Sequence, residues 1–235
     1  MDDSIKDMDD SVKDISSAPG STDRTRIRRL PDKTVNDRSI AYYILDAGLV
    51  GHVAITMEGQ PYVLPVGYAR RENDVLIHGS SGSRLFRALA DGEDTCFTVT
   101  LLDGLVLARS AFESSMNYRS VMVLGRARRL EGDDELDALQ VITEHLLPGR
   151  WSEARQPIKK ERAATMTLAL PLDEISVKVS AGPPEDDPDD LIDPVYSHIW
   201  AGVVPIVSTF GAPEPDDFTP TGTPTPSYIQ DWRVR

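Results

Sequence analysis

The chain has 235 residues, of which 40% are hydrophobic, and a formal net charge of -13. That length suits one sizeable domain with or without tails, and the charge repels nucleic acid and anionic membrane surfaces, so an anionic ligand needs a local basic pocket. One cysteine, Cys96, excludes an internal disulfide and any multi-cysteine zinc or iron–sulfur site.

No apolar run reaches the roughly 20 residues of a membrane span. The opening "MDDSIKDMDD" is acidic where a signal peptide is basic and then apolar, so a cytoplasmic protein is expected. Residues 1–23 are acidic and serine-rich, with too little apolar surface to order themselves, and read as a disordered tail. Residues 208–235, "STFGAPEPDDFTPTGTPTPSYIQDWRVR", read as a Pro/Thr-rich tail. The folded unit lies between them, at 24–207.

Within that unit "NDRSIAYYILDAG" predicts a helix, with Ile40, Tyr43, Ile44 and Ala47 at helical spacing and Gly48 as its stop. "GHVAITM" predicts a strand, "EGQP" a turn, and "YVLPVGYARR" a second strand with Tyr62, Leu64, Val66 and Tyr68 on one face. "DVLIHG" is a third strand, followed by a short helix from Leu85 that ends at Gly92. "TCFTVTL" and "LVLARSAF" flank Leu102, Asp103 and Gly104, and Asp-Gly between such runs predicts a hairpin. "RSVMVLGRARRL" is a long strand and "DDELDALQVITEHLL" a helix with Leu136, Leu139, Ile142 and Leu146 along one side. "ATMTLALPL" and "ISVKVS" complete the sheet. The order predicts a mainly β fold, an antiparallel barrel or curled sheet with a few peripheral helices, and no βαβ array.

The familiar catalytic signatures are absent: no G-x-G-x-x-G after a strand, no phosphate-binding G-x-x-x-x-G-K-[ST], no H-E-x-x-H and no G-x-S-x-G elbow. His52, His78, His145 and His198 show no metal-ligand spacing. The informative stretch is "HGSSGSRLFRAL", where Ser80, Ser81, Gly82, Ser83 and Arg84 form a strand-to-helix corner. Hydroxyls, backbone N–H groups and a guanidinium at such a corner suit a phosphate, although serine and glycine are also ordinary helix caps. Pro65 and Gly67 interrupt an otherwise regular strand, as where a ligand or another backbone approaches closely. A polar Asn-Tyr-Arg-Ser cluster opens the strand in "SSMNYRSVMVLG". Together they suggest a flat ligand on the sheet with its phosphate at the serine-rich corner.

In this order, "YYILDAGLVGHVAI", "QPYVLPVGYAR", "LIHGSSGSRLFRAL", "SSMNYRSVMVLGRAR", "ISVKVSAGPP" and "WAGVVPI" resemble the pyridoxamine 5′-phosphate oxidase-like family of FMN-binding split barrels, in its nitroimidazole-resistance-type branch. The resemblance covers about residues 24–207 and implies a split-barrel homodimer with FMN at the subunit interface. Carried over residue by residue, it implies that Val63, Leu64, Pro65 and Val66 lie along the isoalloxazine. Ile77, His78, Gly79, Ser80, Ser83 and Arg84 then hold the ribityl chain and phosphate. Tyr118, Arg119 and Ser120 reach the flavin, from the second subunit, and Trp200 flanks the ring.

The Arg-x-His element that holds substrate phosphate in the family's vitamin B6 oxidases is missing from "WAGVVPI", which argues against that activity. The expectation is therefore an FMN-dependent oxidoreductase acting on a small organic acceptor of the nitroaromatic or quinone type. His78 is the proton-exchanging candidate, and Arg119 the group that stabilises negative charge. No metal site is expected. The alternatives are a non-catalytic flavin or haem binder, with His78 or His198 available to iron; a deazaflavin F420-dependent reductase; and an interaction protein working through its tails.

Overall fold

The computed structural model describes residues 18–232. Most of the expected N-terminal tail, residues 1–17, falls outside the described residues. Helix α1 (Arg38–Ala47) starts where the Asp37 carboxylate accepts from the Ser39 N–H and ends at Gly48. It leads into β1 (Val50–Met57), β2 (Gln60–Arg71) and β3 (Asp74–Ser80). The turns between these strands put Glu58, Gly59 and Glu72 at positive φ, so tight that no longer loop intervenes. Then come α2 (Arg84–Ala90), β4 (Asp94–Leu107), β5 (Ser115–Arg126), the two-residue β6 (Arg128–Arg129) and α3 (Gly132–Leu146). The short helices α4 (Arg150–Glu153) and α5 (Lys159–Ala164) precede β7 (Thr165–Pro171) and β8 (Glu174–Ser180). α6 (Pro188–Ile192), β9 (Gly202–Pro205) and α7 (Ser227–Asp231) close the chain.

All pairings are antiparallel, in the order β6-β7-β3-β2-β1-β4-β5-β8, with β9 added beside β4. The sheet curls around a core to which β1 to β5, β7, β8, α1 and α2 all contribute, including Ile44, Val53, Tyr68, Ile77, Phe86, Phe97, Val121 and Leu168. This is the mainly β split barrel with peripheral helices that the strand pattern implied. Its outer face over β2, β3 and β7 carries a second, smaller cluster, in which Ala69, Leu76 and Ala169 pack under Ala138 and Ile142 of α3.

Three expectations shift. Asp103-Gly104 makes no hairpin: β4 runs through it, and the pairing with β5 slips between Leu102 and Gly104 as a bulge. The dipeptide is held from both sides, because the Asp103 carboxylate takes two hydrogen bonds from Arg119 of β5 and the Asp103 carbonyl accepts from the Ile206 N–H. Tyr43 of α1 faces outward, the buried stripe being Ala41, Ile44 and Leu45. On α3 the fully buried positions are Ala138 and Ile142, so the helix lies rotated relative to the leucine stripe.

The chain beyond β9 returns to the body. Trp232 donates from its indole to the Pro148 carbonyl, Tyr228 bonds Glu153 and lies against Gly149, and Phe210 meets Trp232 at 5.9 Å between ring centres. At the other end the Gly20 N–H donates to the Ile175 carbonyl of β8.

Tyr68 joins these layers. Its ring is fully buried between Phe97 (5.1 Å) and His145 (5.5 Å), and its hydroxyl donates to the Leu45 carbonyl at the end of α1. Burial pushes the phenol's pKa well above its ordinary value. Tyr68→Phe leaves the shape intact but removes that buried hydrogen bond, and is expected to cost about 1–2 kcal/mol in urea denaturation, with the secondary structure unchanged by circular dichroism.

Candidate functional site

Most of the expected site residues lie on β2, β3 and the corner that follows β3. In β3 the residues alternate: Val75 and Ile77 point into the barrel, while Leu76 and His78 point outward to the α3 side. The adjoining stretch of β2 exposes Val63 (61%) and Leu64 (44%), and Pro65 is exposed beside them, while Val66 is half-buried. Side chains alternate along β2, so Val63 and Pro65 stand on the outer face, while Leu64 stands on the opposite face with Tyr62, Val66 and Tyr68. Ile77 itself is core, 3% exposed, so its side chain supports the site from below and only its backbone belongs to the rim.

The corner after β3 is tighter than its sequence suggests. Ser80 Oγ accepts from the Gly82 N–H, and the Ser80 carbonyl accepts from the Ser83 N–H. Ser83 Oγ caps α2 by accepting from Phe86 N, and the Ser81 N–H donates to the Ala164 carbonyl. Gly79 is required, because a Cβ there would sit 2.3 Å from the Phe86 ring. Both Ser80 and Ser83 are thus already engaged as acceptors, and α2 has only seven residues, so its dipole is small. What remains free for an anion is the exposed Arg84 side chain, without an ion-pair partner among the described residues, and the hydrogens of the two hydroxyls.

His78 opens into a cavity of about 350 Å³ bounded by Leu139 and Thr143 of α3, Trp151 of α4, Arg155, and Glu161 and Arg162 of α5. The ring has no hydrogen-bond partner among the described residues, and partial desolvation lowers its pKa below the ordinary histidine value. It is therefore a neutral imidazole at pH 7, with a nitrogen lone pair available to a proton or a metal. Trp151 is held in place because the Glu144 carboxylate accepts from the N–H groups of both Gly149 and Trp151. Arg155 is paired with Glu161, and Arg162 with Glu135.

The second group stands elsewhere. β1 and β4 separate β2 from β5 in the sheet order, so within one chain Tyr118, Arg119 and Ser120 of β5 are not neighbours of the β2–β3 face in the sheet. All three are half-buried. Arg119 is fixed by the bidentate pair with Asp103 (2.8 and 2.7 Å) and lies 5.5 Å from the Tyr43 ring centre. The Asp103 carboxylate holds its guanidinium protonated even more firmly than usual. An arginine so paired is a rigid element with its charge already balanced. Trp200 is 63% exposed just before β9, and His198 is exposed on the turn preceding it.

The sequence profile of the pyridoxamine 5′-phosphate oxidase family matches residues 37–179, which span β1 to β8 and every residue of the β2–β3 face. The chain belongs to this family. Among solved structures it is similar to the flavocytochrome Anf3 of Azotobacter vinelandii, at 40% identity over 93% of this chain and 99% of that one, with a TM-score of 0.84. It is also similar to the FAD and haem binding protein of Mycobacterium smegmatis, at 37% identity over 86% and 97% of the two chains and a TM-score of 0.81. A structure described as a 5-nitroimidazole antibiotic resistance protein from Bacteroides thetaiotaomicron matches at 22% identity over 62% of this chain and 86% of that one, with a TM-score of 0.53, and shows the fold alone. Among curated proteins none matches.

His78 itself is exposed, and the walls of the recess beside it come from α3, α4 and α5, which sequence reading did not connect to it. The available signal was Trp151, a large aromatic residue in the polar run "PGRWSEARQP". Because desolvation is what lowers the His78 pKa, an NMR titration is expected to find this ring protonating below the ordinary value of 6.5. Trp151→Ala, which opens the cavity to water, is expected to move it back upward.

Proposed function

We propose that this protein is a redox carrier that binds a flavin on the β2–β3 face and a haem at His78. The observation that carries the reading is the pair of relatives at 37% and 40% identity over nearly their whole length, one described as binding FAD and haem and the other as a flavocytochrome. The geometry of this chain fits both groups. For haem iron there is an unpartnered, neutral imidazole in a cavity walled by Trp151 and Leu139. For the flavin there are the exposed Val63 and Pro65 on the outer face of β2, with the exposed Arg84 at the start of α2 for its phosphate.

Bound together, the two groups supply the exchange between two-electron and one-electron chemistry that no side chain performs. The chain's own residues do the rest. Val63 and Pro65 offer apolar contacts on the outer face against which a ring system is desolvated. Arg84 and the Ser80 and Ser83 hydroxyls bind phosphate oxygens, and two phosphates suit them as well as one. His78 holds its lone pair ready because its surroundings disfavour protonation. Trp151 restricts the entry of water.

The flavin in this reading is FAD, following the relative whose nucleotide is specified, where sequence alone suggested FMN. The assembly is a homodimer in which a second copy brings Tyr118, Arg119, Ser120 and Trp200 to the flavin. The exposure of Trp200, Leu102, Leu105, Leu107 and Met116 along β4, β5 and the approach to β9 supports it. Electrons leave to a small organic acceptor such as a quinone or nitroaromatic compound.

The test is the absorption spectrum of the purified protein reconstituted with haem and FAD. Wild type is expected to show both a Soret band and flavin bands. His78→Ala is expected to lose the Soret band while keeping the flavin, and Arg84→Ala to weaken flavin binding about tenfold while keeping the haem, as removal of one charge-assisted phosphate contact predicts. Chromatography of the acid-released nucleotide decides between FAD and FMN. A His78→Ala protein with an unchanged haem spectrum overturns the haem assignment. Size-exclusion chromatography with light scattering is expected to give the mass of two chains, and a monomer that still binds flavin overturns the shared site.

A further inference from the structure

The sheet face that carries His78 carries a second recess. α5 crosses this face, and Arg162 and Thr165 line both the His78 cavity and a neighbouring one of about 280 Å³. The further walls of that neighbour include Arg129, Lys159, Thr167 and the start of α3. Thr167 stands directly opposite His78 in the β3–β7 register, 1% exposed, and its Oγ1 has no hydrogen-bond partner. A buried hydroxyl without a partner costs about 1–3 kcal/mol, so a persistent one calls for a ligand group.

The charges around it are unevenly satisfied. Lys159 makes no ion pair among the described residues, and Arg129 reaches Glu131 only at 3.6 Å, with both side chains more than half exposed. Arg162 gives its guanidinium to Glu135 and to the Gly132 carbonyl. α3 begins without a side-chain cap at Glu131, and its first-turn N–H groups border the recess. Three cations therefore face two carboxylates, Glu131 and Glu135, in a chain whose overall charge is -13. One end of this double recess carries an imidazole beside Leu139, Trp151 and Pro157, with its cations Arg155 and Arg162 already paired; the other carries the less well paired Arg129 and Lys159 and an orphan hydroxyl.

We propose that the recess of Arg129, Lys159 and Thr167 is an anion subsite for the carboxylate arms of the planar ligand lodged at His78. The inference rests on the haem reading above, in which those arms are the propionates. Arg129 and Lys159 pair with the carboxylates and Thr167 Oγ1 donates to one of them. The subsite orients the ligand, because Leu139, Trp151 and Pro157 take the ring edge that carries no charge. No bond is made or broken there.

The test is a spectroscopic titration of the full-length haem-free protein with haem and with its dimethyl ester, which has the same ring and iron but no carboxylates. Wild type is expected to bind haem about tenfold tighter than the ester, as the loss of a charge-assisted contact predicts, with a preference that shrinks at high salt. The double variant Arg129→Gln, Lys159→Gln is expected to lose most of the preference while keeping the wild-type affinity for the ester, which also shows that its fold is intact. Thr167→Val, isosteric and lacking the hydroxyl, is expected to lose part of the preference. If wild type binds haem and ester equally, or the double variant keeps the full preference, the subsite is wrong while the haem reading stands. If wild type binds neither form, the haem reading fails and this inference fails with it.

Discussion

The register of β3 against β7 is the constraint on which the rest of the site depends. Side chains alternate across a strand, so a one-residue slip would carry His78 into the barrel core and Ile77 out to the helices. Several independent contacts resist that slip. Val75 and Ile77 are buried on the inner face and Leu76 on the outer one, so β3 is covered on both sides. At its start the Asp74 carboxylate pairs with Arg128, and at its end the fit of Gly79 against Phe86 allows no side chain. The same pairing sets Thr167 opposite His78 and Thr165 opposite Ser80. A chemical arrangement on the outer face is thus fixed by hydrophobic packing on the inner one.

The electrostatics follow a similar division. The chain carries 38 acidic against 25 basic residues, yet many of its arginines are tied to a carboxylate. The exposed ones among the chain's pairs, such as Arg126–Asp94, contribute little to stability, about 0–1 kcal/mol each. The effect of pairing at the site is positional: Asp103 immobilises Arg119 at the β4 bulge, and Glu135 immobilises Arg162 between the two recesses. Arg84 and Lys159 are among the cations that make no ion pair among the described residues, and each borders a candidate ligand surface. Against so acidic a background, an unpaired arginine or lysine beside a cavity is more informative than the many paired ones.

How much of this was legible from the sequence depends on the range of the interaction concerned. Local signals read well: Asp37 and Gly48 bound α1, Glu58-Gly59 turns β1 into β2, and Ser83 caps α2. The Asp103-Gly104 signal misled because the dipeptide is recruited by distant partners, Arg119 and Ile206, which hold it in a bulge where the local preference is a hairpin. The serine-rich corner was readable as a turn but not as one that consumes much of its own hydrogen-bonding capacity. Only coordinates show Ser80 and Ser83 accepting from Gly82 and Phe86. The surroundings of His78 were the least legible part, since residues 139–165 reach it through three separate helices with no shared motif.

That last gap also explains why a histidine and a flavin-type strand surface can coexist on one sheet without obstructing each other. His78 is flanked on the α3 side by Thr143 and Trp151, whereas the exposed part of β2 lies beyond the reach of that helix. The crossing point is Gly67, where a Cβ would come within 3.0 Å of Leu146 at the end of α3. A side chain there would press on the Leu146 side chain, which must shift by a few tenths of an ångström to make room. The glycine that looked in the sequence like a weak point in β2 is where α3 and the sheet close together.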